Sequence, residues 1–223
     1  MWYEHIDIYC ERVNISFWAE PLNAITNLAF IIAAVTALYI HKKEGLNDKV
    51  FIFLSFMVAL IGVGSFLFHT FANTWSSLAD TIPIWSFVVL YVLFVIRVIF
   101  KASWFKTARI MFIVFLLAYF GFTLANSENS GQMVLNGSLQ YAPALFFMLV
   151  FTIALYFKRR SLYKYTAIAL GVFFLSLMFR TIDIYFCESI SFGTHFMWHI
   201  LNGVMLFFLL LTMHKAIKED NES

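Results

Sequence analysis

The chain has 223 residues, of which 62% are hydrophobic and 13% are charged, and its mean hydropathy is +0.82. Soluble domains are about half apolar and about a quarter charged, so this composition excludes a soluble globular protein and indicates an integral membrane protein. The formal net charge of +2 does not indicate a nucleic-acid partner, because the basic residues are distributed as membrane-topology signals.

Seven apolar segments follow one another along the chain, each close to the about 20 residues that a helix needs to cross a bilayer core. They predict an all-α, polytopic bundle of seven transmembrane helices. The predicted helices are residues 22–41, 50–70, 79–100, 107–125, 139–157, 163–185 and 194–214. We expect residues 1–21 to form an extramembrane N-terminal arm, 22–216 a single transmembrane domain and 217–223 a tail. A polar loop at 126–138 separates the fourth and fifth helices.

The basic residues predict the orientation of the bundle, because positively charged loops stay in the cytoplasm. Lys and Arg concentrate in alternate connections and in the tail, and only Arg12 and Arg180 fall on the other side. The amino terminus is therefore predicted to lie outside and the carboxyl terminus in the cytoplasm.

Polar residues interrupt the apolar pattern at the predicted outer ends of the second, third and seventh helices. Ser65 and His69 are four residues apart, as are His195 and His199, so each pair lies on one helical face. Asp80 is an acid in a membrane segment, which costs a few kcal/mol and marks a functional site by default. These five side chains are predicted to converge in the outer leaflet.

Three histidines match the usual ligand number of a catalytic zinc site, whose fourth position holds a water with a pKa of about 7. On this interpretation His69, His195 and His199 bind Zn²⁺, and Asp80 orients or deprotonates the water. Ser65 hydrogen-bonds the water or the developing oxyanion.

Other interpretations of the same residues stay open at this point. The paired histidines could ligate haem or bond neighbouring helices, and a serine in a membrane helix often bonds the carbonyl one turn back. A non-enzymatic receptor or transporter with a structural zinc site is the alternative of a different class. Against it, structural zinc normally has four protein ligands. Transporters also favour helices broken near mid-membrane, whereas the three prolines lie near predicted helix ends.

Three stretches carry a family resemblance: YCERVNISFWAEPLNAITNLAF, GSFLFHTFANTWSSLADTIP and IDIYFCESISFGTHFMWHILNG. They resemble the signature blocks of the alkaline ceramidases, a branch of a seven-helix hydrolase superfamily that includes progestin and adiponectin receptors and haemolysin-III-like proteins. The resemblance implies Zn²⁺ on the three histidines, with Ser65 and Asp80 as the catalytic pair. It also implies a substrate drawn from the bilayer, ceramide or a related N-acyl lipid, which is cleaved to a fatty acid and a sphingoid-like amine.

The resemblance also implies a Ca²⁺ site in the arm, although the match there is imperfect. Animal alkaline ceramidases bind Ca²⁺ through a D-W-C-E-x-N stretch and a later Glu, and alignment on Cys10 puts Ile8 and Val13 at two ligand positions. Oxygen ligands remain nearby, as Ca²⁺ prefers. The predicted ligands are Asp7, Glu11, Asn14 and Glu20. The alternative is a solvated acidic arm in which Glu20 and Asn23 cap the first helix.

Cys10 and Cys187 both fall on the predicted outer side, where disulfides form. The resemblance supports a bond between them, which would tie the arm to the loop before the seventh helix, and two free thiols are the alternative. Short loops and little extramembrane mass favour a bacterial inner membrane, with the site towards the periplasmic leaflet.

Overall fold

A computed structural model describes residues 2–125 and 134–222. Within these residues seven helices are long and apolar enough to cross a membrane, so the predicted seven-helix, all-α fold is confirmed. The helices are α1 (Pro21–Lys43, interrupted at Asn27), α2 (Lys49–Phe71), α3 (Thr74–Ile99, with a π-helical end at Val95–Ile99), α4 (Trp104–Ala125), α5 (Ala142–Lys158), α6 (Arg160–Ile182) and α7 (His195–Glu222). Short 3₁₀ segments, Val134–Tyr141 and Asp183–Phe186, precede α5 and follow α6. Residues 126–133 of the predicted polar loop lie outside the described residues.

Helix α3 begins at Thr74, whereas the hydropathy pattern predicted a start at residue 79. A capping box fixes this start: the Asn73 side chain accepts the Ser76 N–H at 3.2 Å, and the Ser76 hydroxyl accepts the Asn73 N–H at 3.0 Å. The first helical turn contains polar residues, which lower the average hydropathy, so the sequence pattern assigned this turn to a loop. The earlier start places Asp80 more than one turn inside α3.

A residue of the arm caps the N-terminus of α1, but it is not one of the two residues, Glu20 and Asn23, that the sequence suggested. Glu20 stands at the N-cap without a side-chain cap hydrogen bond. The Glu11 carboxylate instead accepts the N–H groups of Leu22 at 2.7 Å and Asn23 at 2.8 Å. Burial raises the pKa of Glu11, and these two N–H bonds oppose that rise. A carboxylate at a helix N-terminus also interacts favourably with the helix dipole.

Helix α7 lies at the centre of the bundle, where it packs against α1, α2 and α6. In the apolar 18-residue stretch of α7, 56% is buried inside the protein. The corresponding share is 17% in α4 and 17% in the span that contains α5. The peripheral helices therefore present apolar side chains outward, which suits lipid, while α7 carries His195 and His199 into the protein interior. The helix continues to Glu222, so most of the segment predicted as a tail is helical, and Arg159 pairs with Glu219 at 2.9 Å there.

A disulfide joins Cys10 to Cys187, across 177 positions of the chain. The arm is further held by a backbone hydrogen bond from the Ile6 N–H to the Ala72 carbonyl, and by a β-bridge between His5 and Asn73. The arm thus closes over one end of the bundle, the end at which α2 finishes and α7 begins. We call this the arm end.

Helices α2 and α3 touch backbone to backbone at Gly64. A Cβ atom there would overlap the carbonyl oxygen of Ala79. Small residues permit this close approach between membrane helices. Because Ser65 and Asp80 directly follow the two contacting residues, the approach also brings their side chains together.

We expect Gly64→Ala to destabilise the bundle by about 1–3 kcal/mol, since overpacking forces backbone shifts of this cost. Separation of α2 from α3 should also lower activity. Gly171→Ala is the matched control, because a Cβ there meets nothing within 4 Å. Thermal unfolding in detergent compares the two variants, and an equal effect of both would contradict the close-contact interpretation.

Candidate metal centre

Three histidines converge at the arm end of the bundle. His69 lies in the last turn of α2, and His195 and His199 lie in the first two turns of α7; each is 1% exposed. One nitrogen of each ring lies within 4.8 Å of the others, a spacing that a single ion can bridge. In the part of the chain that the structure describes, this is the one group of three or more His, Cys, Asp or Glu side chains with that property.

The partners of two histidines define which ring nitrogen carries the proton. His69 Nδ1 lies 2.6 Å from the Glu20 carboxylate, which accepts the Nδ1–H and leaves Nε2 with a free lone pair. The Thr26 hydroxyl donates to the Leu22 carbonyl at 2.8 Å, so its oxygen accepts the Nδ1–H of His199 at 3.0 Å. Carboxylate and hydroxyl partners of this kind orient metal-binding imidazoles.

Nitrogen atoms without partners indicate what these rings bind. His195 Nδ1 and His199 Nε2 are fully buried and have no hydrogen-bond partner among the described residues. An unsatisfied buried polar group costs about 1–3 kcal/mol. A metal ion accepts such lone pairs, so the three histidines fit a divalent metal of the type that imidazole favours.

Asp183 positions His195 and the arm together. One carboxylate oxygen accepts the N–H groups of Thr194 at 2.6 Å and His195 at 2.9 Å, and the other accepts the Cys10 N–H at 3.3 Å. The Tyr9 ring then stacks on the His195 imidazole, with 3.7 Å between centroids. Burial raises the pKa of Tyr9, so its phenol keeps its proton at neutral pH.

Ser65 and Asp80 lie beside the histidines. The Ser65 hydroxyl interacts with the Asp80 carboxylate, whereas Ser55, on the same helix, bonds the Phe51 carbonyl one turn back at 2.9 Å. The Asp80 Oδ1 atom is buried and has no hydrogen-bond partner among the described residues. That oxygen is available to accept a proton. The structure thus brings together all five side chains that the sequence singled out for zinc chemistry.

The four predicted Ca²⁺ ligands do not form an open oxygen cage. Glu11 binds the first N–H groups of α1, and Asp7 is exposed. The Arg12 guanidinium lies 2.5 Å from Glu20 Oε1 and donates to the Asn14 main-chain carbonyl at 3.2 Å, while the Asn14 side-chain oxygen accepts the Ser16 N–H at 2.8 Å. The Arg12 cation already pairs with the Glu20 carboxylate, which disfavours a second cation there, and the Ca²⁺ site of the arm stays a prediction.

Arg12 and Glu20 together support His69. Burial raises the pKa of Glu20, but the His69 hydrogen bond, Asn23 and Arg12 outweigh it and hold that pKa below its usual range. Glu20 is therefore an ionised acceptor for the His69 Nδ1–H. Arg12 also donates to the His69 carbonyl at 2.9 Å, which ties the arm to the end of α2.

We expect Glu20→Gln to weaken metal binding by about 10- to 100-fold, the usual effect of losing a hydrogen-bond partner of a metal ligand. The neutral amide cannot balance Arg12 and orients His69 poorly. Glu188→Gln is the control, since Glu188 is an exposed acid in the loop before α7. Competition against a zinc chelator measures the affinity, and equal affinities of the wild type and Glu20→Gln would contradict this role.

Several site residues had no role in the zinc interpretation of the sequence. Thr26 looks like an ordinary helix residue, and Asp183 lies twelve positions from the histidine that it positions. Their roles depend on contacts between distant segments. The sequence offers one weak indication of a role for Asp183: like Asp80, it is an acid at the edge of an apolar segment.

Two comparisons show which known proteins the chain is similar to. Residues 6–223 match the sequence profile of the family described as Ceramidase. The chain is also similar to the alkaline ceramidase YPC1 of Saccharomyces cerevisiae, with 36% identity over 77 residues. That alignment covers 34% of this chain and 24% of the yeast protein.

Proposed function

The chain belongs to the ceramidase family, and from that premise we propose that it is a zinc-dependent intramembrane amidase. Membership implies a membrane hydrolase that acts on an amide bond. The proposed reaction converts ceramide or a related N-acyl lipid to a free fatty acid and a sphingoid-like amine. The observation that carries the proposal is the cluster of three buried histidines, two with unpartnered ring nitrogens, beside the Ser65 and Asp80 pair.

Zinc is the proposed metal because three imidazoles with no thiolate are a common ligand set of catalytic zinc sites. His69, His195 and His199 would hold the ion, supported by Glu20 and Thr26. When bound, zinc supplies a Lewis acid for the amide carbonyl and lowers the pKa of a water to about 7.

The chain's own residues supply the proton transfers. In our proposal Asp80 Oδ1, which has no other partner among the described residues, takes the proton of the attacking water as a general base. Once Asp80 is protonated, the Ser65 hydroxyl no longer has to donate to its carboxylate and donates a hydrogen bond to the oxygen that becomes negative. Asp80 then returns the proton to the leaving amine, so that the amine departs neutral.

We further propose that the arm end faces the outside of a bacterial inner membrane. The basic residues of the opposite end support this orientation, as does the Cys10–Cys187 disulfide, because disulfides form in a periplasm and not in a cytosol. A lipid substrate would enter from the bilayer, with its amide at the metal and its acyl chain between the helices.

The test is elemental analysis together with a hydrolysis assay on detergent-purified protein. We expect about one zinc per chain, and release of fatty acid from a panel of N-acyl lipids. Chelation should stop the release, and added Zn²⁺ should restore it. Zinc without hydrolysis of any lipid would favour the non-enzymatic receptor or transporter, and a folded protein that binds no zinc would overturn the proposal.

A further inference from the structure

Arg180 is a buried cation in the membrane-spanning part of α6. Its exposed fraction is 6%, and no carboxylate lies within ion-pair distance of it among the described residues. A charged side chain inside a membrane segment is costly and usually marks a functional site. The nearest acid along the chain, Asp183, is engaged by backbone N–H groups. Among the described residues, therefore, no carboxylate pairs directly with Arg180.

The contacts of Arg180 leave part of its hydrogen-bonding capacity unused. Nη1 donates to the Tyr9 hydroxyl at 3.0 Å. The guanidinium carbon lies 5.2 Å from the Trp198 ring centroid and 5.7 Å from those of Tyr9 and Tyr141. These rings attract the cation but carry no charge to neutralise it. Nε is fully buried and has no hydrogen-bond partner among the described residues.

The other buried arginine of this end provides a contrast. Arg12 is paired with the Glu20 carboxylate at 2.5 Å and also donates to the carbonyls of Asn14 and His69. Its charge is balanced, and all three nitrogens have a protein acceptor. Arg180 has aromatic faces where Arg12 has a carboxylate.

Arg180 also lies next to the candidate metal centre. Two of the rings in contact with it, Tyr9 and Trp198, stack on His195 with centroid distances of 3.7 and 6.5 Å. The guanidinium is close enough to interact electrostatically with His195, His199 and Asp80. A ligand held at the three histidines would thus lie near a positive charge that interacts with Asp80 only from beyond ion-pair distance.

We propose that Arg180 binds an anionic oxygen of the lipid, and this inference rests on the proposed amidase function. Nε–H and Nη2–H lie on one edge of the guanidinium, a geometry that binds a carboxylate through two parallel hydrogen bonds. Two groups share this chemistry: the carboxylate of the fatty acid product, and an acidic group on the amine part of the substrate. In either case Arg180 is a ligand-binding residue outside the metal and proton-transfer machinery.

A binding experiment tests the proposal without catalysis. Laurate and dodecanol have the same chain length and differ in charge, and their affinity for the zinc-loaded protein is measured in detergent. We expect Arg180→Gln to weaken laurate binding by about tenfold or more, the effect of losing a charge-assisted hydrogen bond, and to leave dodecanol binding unchanged. Arg180→Lys should retain part of the laurate affinity, because the charge remains.

Tyr9→Phe separates ligand binding from a structural role. If Arg180 serves only to hold the arm through the Tyr9 hydroxyl, Tyr9→Phe and Arg180→Gln should have the same effect. We expect Tyr9→Phe to keep the preference for laurate over dodecanol. Zinc content and melting temperature identify any variant that fails to fold, in which case Arg180→Lys carries the test.

Hydrolysis assays distinguish the two sources of the anion. If the anion belongs to the substrate, Arg180→Gln should raise KM about tenfold or more for N-lauroylglycine and spare a neutral ceramide with the same acyl chain. If the anion is the product carboxylate, the inhibition constant of laurate should rise with either substrate, and both KM values should stay unchanged.

Laurate binding and hydrolysis that are both insensitive to Arg180→Gln would overturn the inference. A wild type that binds laurate through Arg180 but hydrolyses no amide would contradict the amidase proposal alone.

Discussion

His199→Ala is expected to remove the bound metal and to lower amide hydrolysis by about a thousandfold or more, because two imidazoles do not hold zinc tightly and the reaction depends on it. His199 is fully buried, and its Nε2 has no other partner among the described residues. The truncation therefore removes a ligand and leaves space where the ring was. Zinc per chain and the initial rate of fatty acid release are measured on the same preparation.

His5→Ala is the control for this substitution. His5 is an exposed histidine at the same end of the molecule, joined to Asn73 through a β-bridge that involves its backbone. It should keep both zinc and activity. If His199→Ala keeps its zinc, the three-histidine site is wrong, and the metal, if any, binds elsewhere.

Asp80→Asn is expected to keep the zinc and to lower kcat by about 10²- to 10⁴-fold, the usual contribution of a general base. The amide has nearly the shape of the carboxylate, but it cannot take a proton. Because Asp80 is not one of the three ligands, the metal content should match that of the wild type. Full activity in this variant, with zinc in place, would exclude Asp80 as the base.

Asp7→Asn is the matched control, since it makes the same chemical change at an exposed position of the arm. The two large predictions also separate two contributions. His199→Ala should remove metal and activity together, whereas Asp80→Asn should remove activity alone. Loss of zinc in both variants would instead indicate that Asp80 supports the metal site.

Much of the fold follows from the sequence, because a bilayer imposes strong constraints. Each crossing requires about 20 apolar residues, and every backbone polar group must be satisfied within the segment, so apolar runs predict helices directly. The four-residue spacings of Ser65 with His69 and of His195 with His199 likewise place each pair on one face. The sequence therefore determined the seven helices and the set of residues proposed for zinc chemistry.

Helix ends were less predictable from the same pattern. Thr74 begins α3 because Asn73 and Ser76 cap it, and Glu11 caps α1 from ten positions before Pro21, the first residue of that helix. Caps are individual hydrogen bonds that a hydropathy average does not contain. The position of Asp80 within α3 depends on such a cap.

Only the tertiary structure decided which partners the polar residues have. Glu20, a predicted Ca²⁺ ligand, pairs with the Arg12 guanidinium and accepts the Nδ1–H of His69. Asp183 positions His195, and Arg180 lies beside the histidines without a carboxylate within ion-pair distance among the described residues. These contacts join the arm, α2, α6 and α7, and whether a buried charge meets an opposite charge depends on how those segments pack. Periodicity specifies the face on which a residue lies, but it does not specify what that face meets.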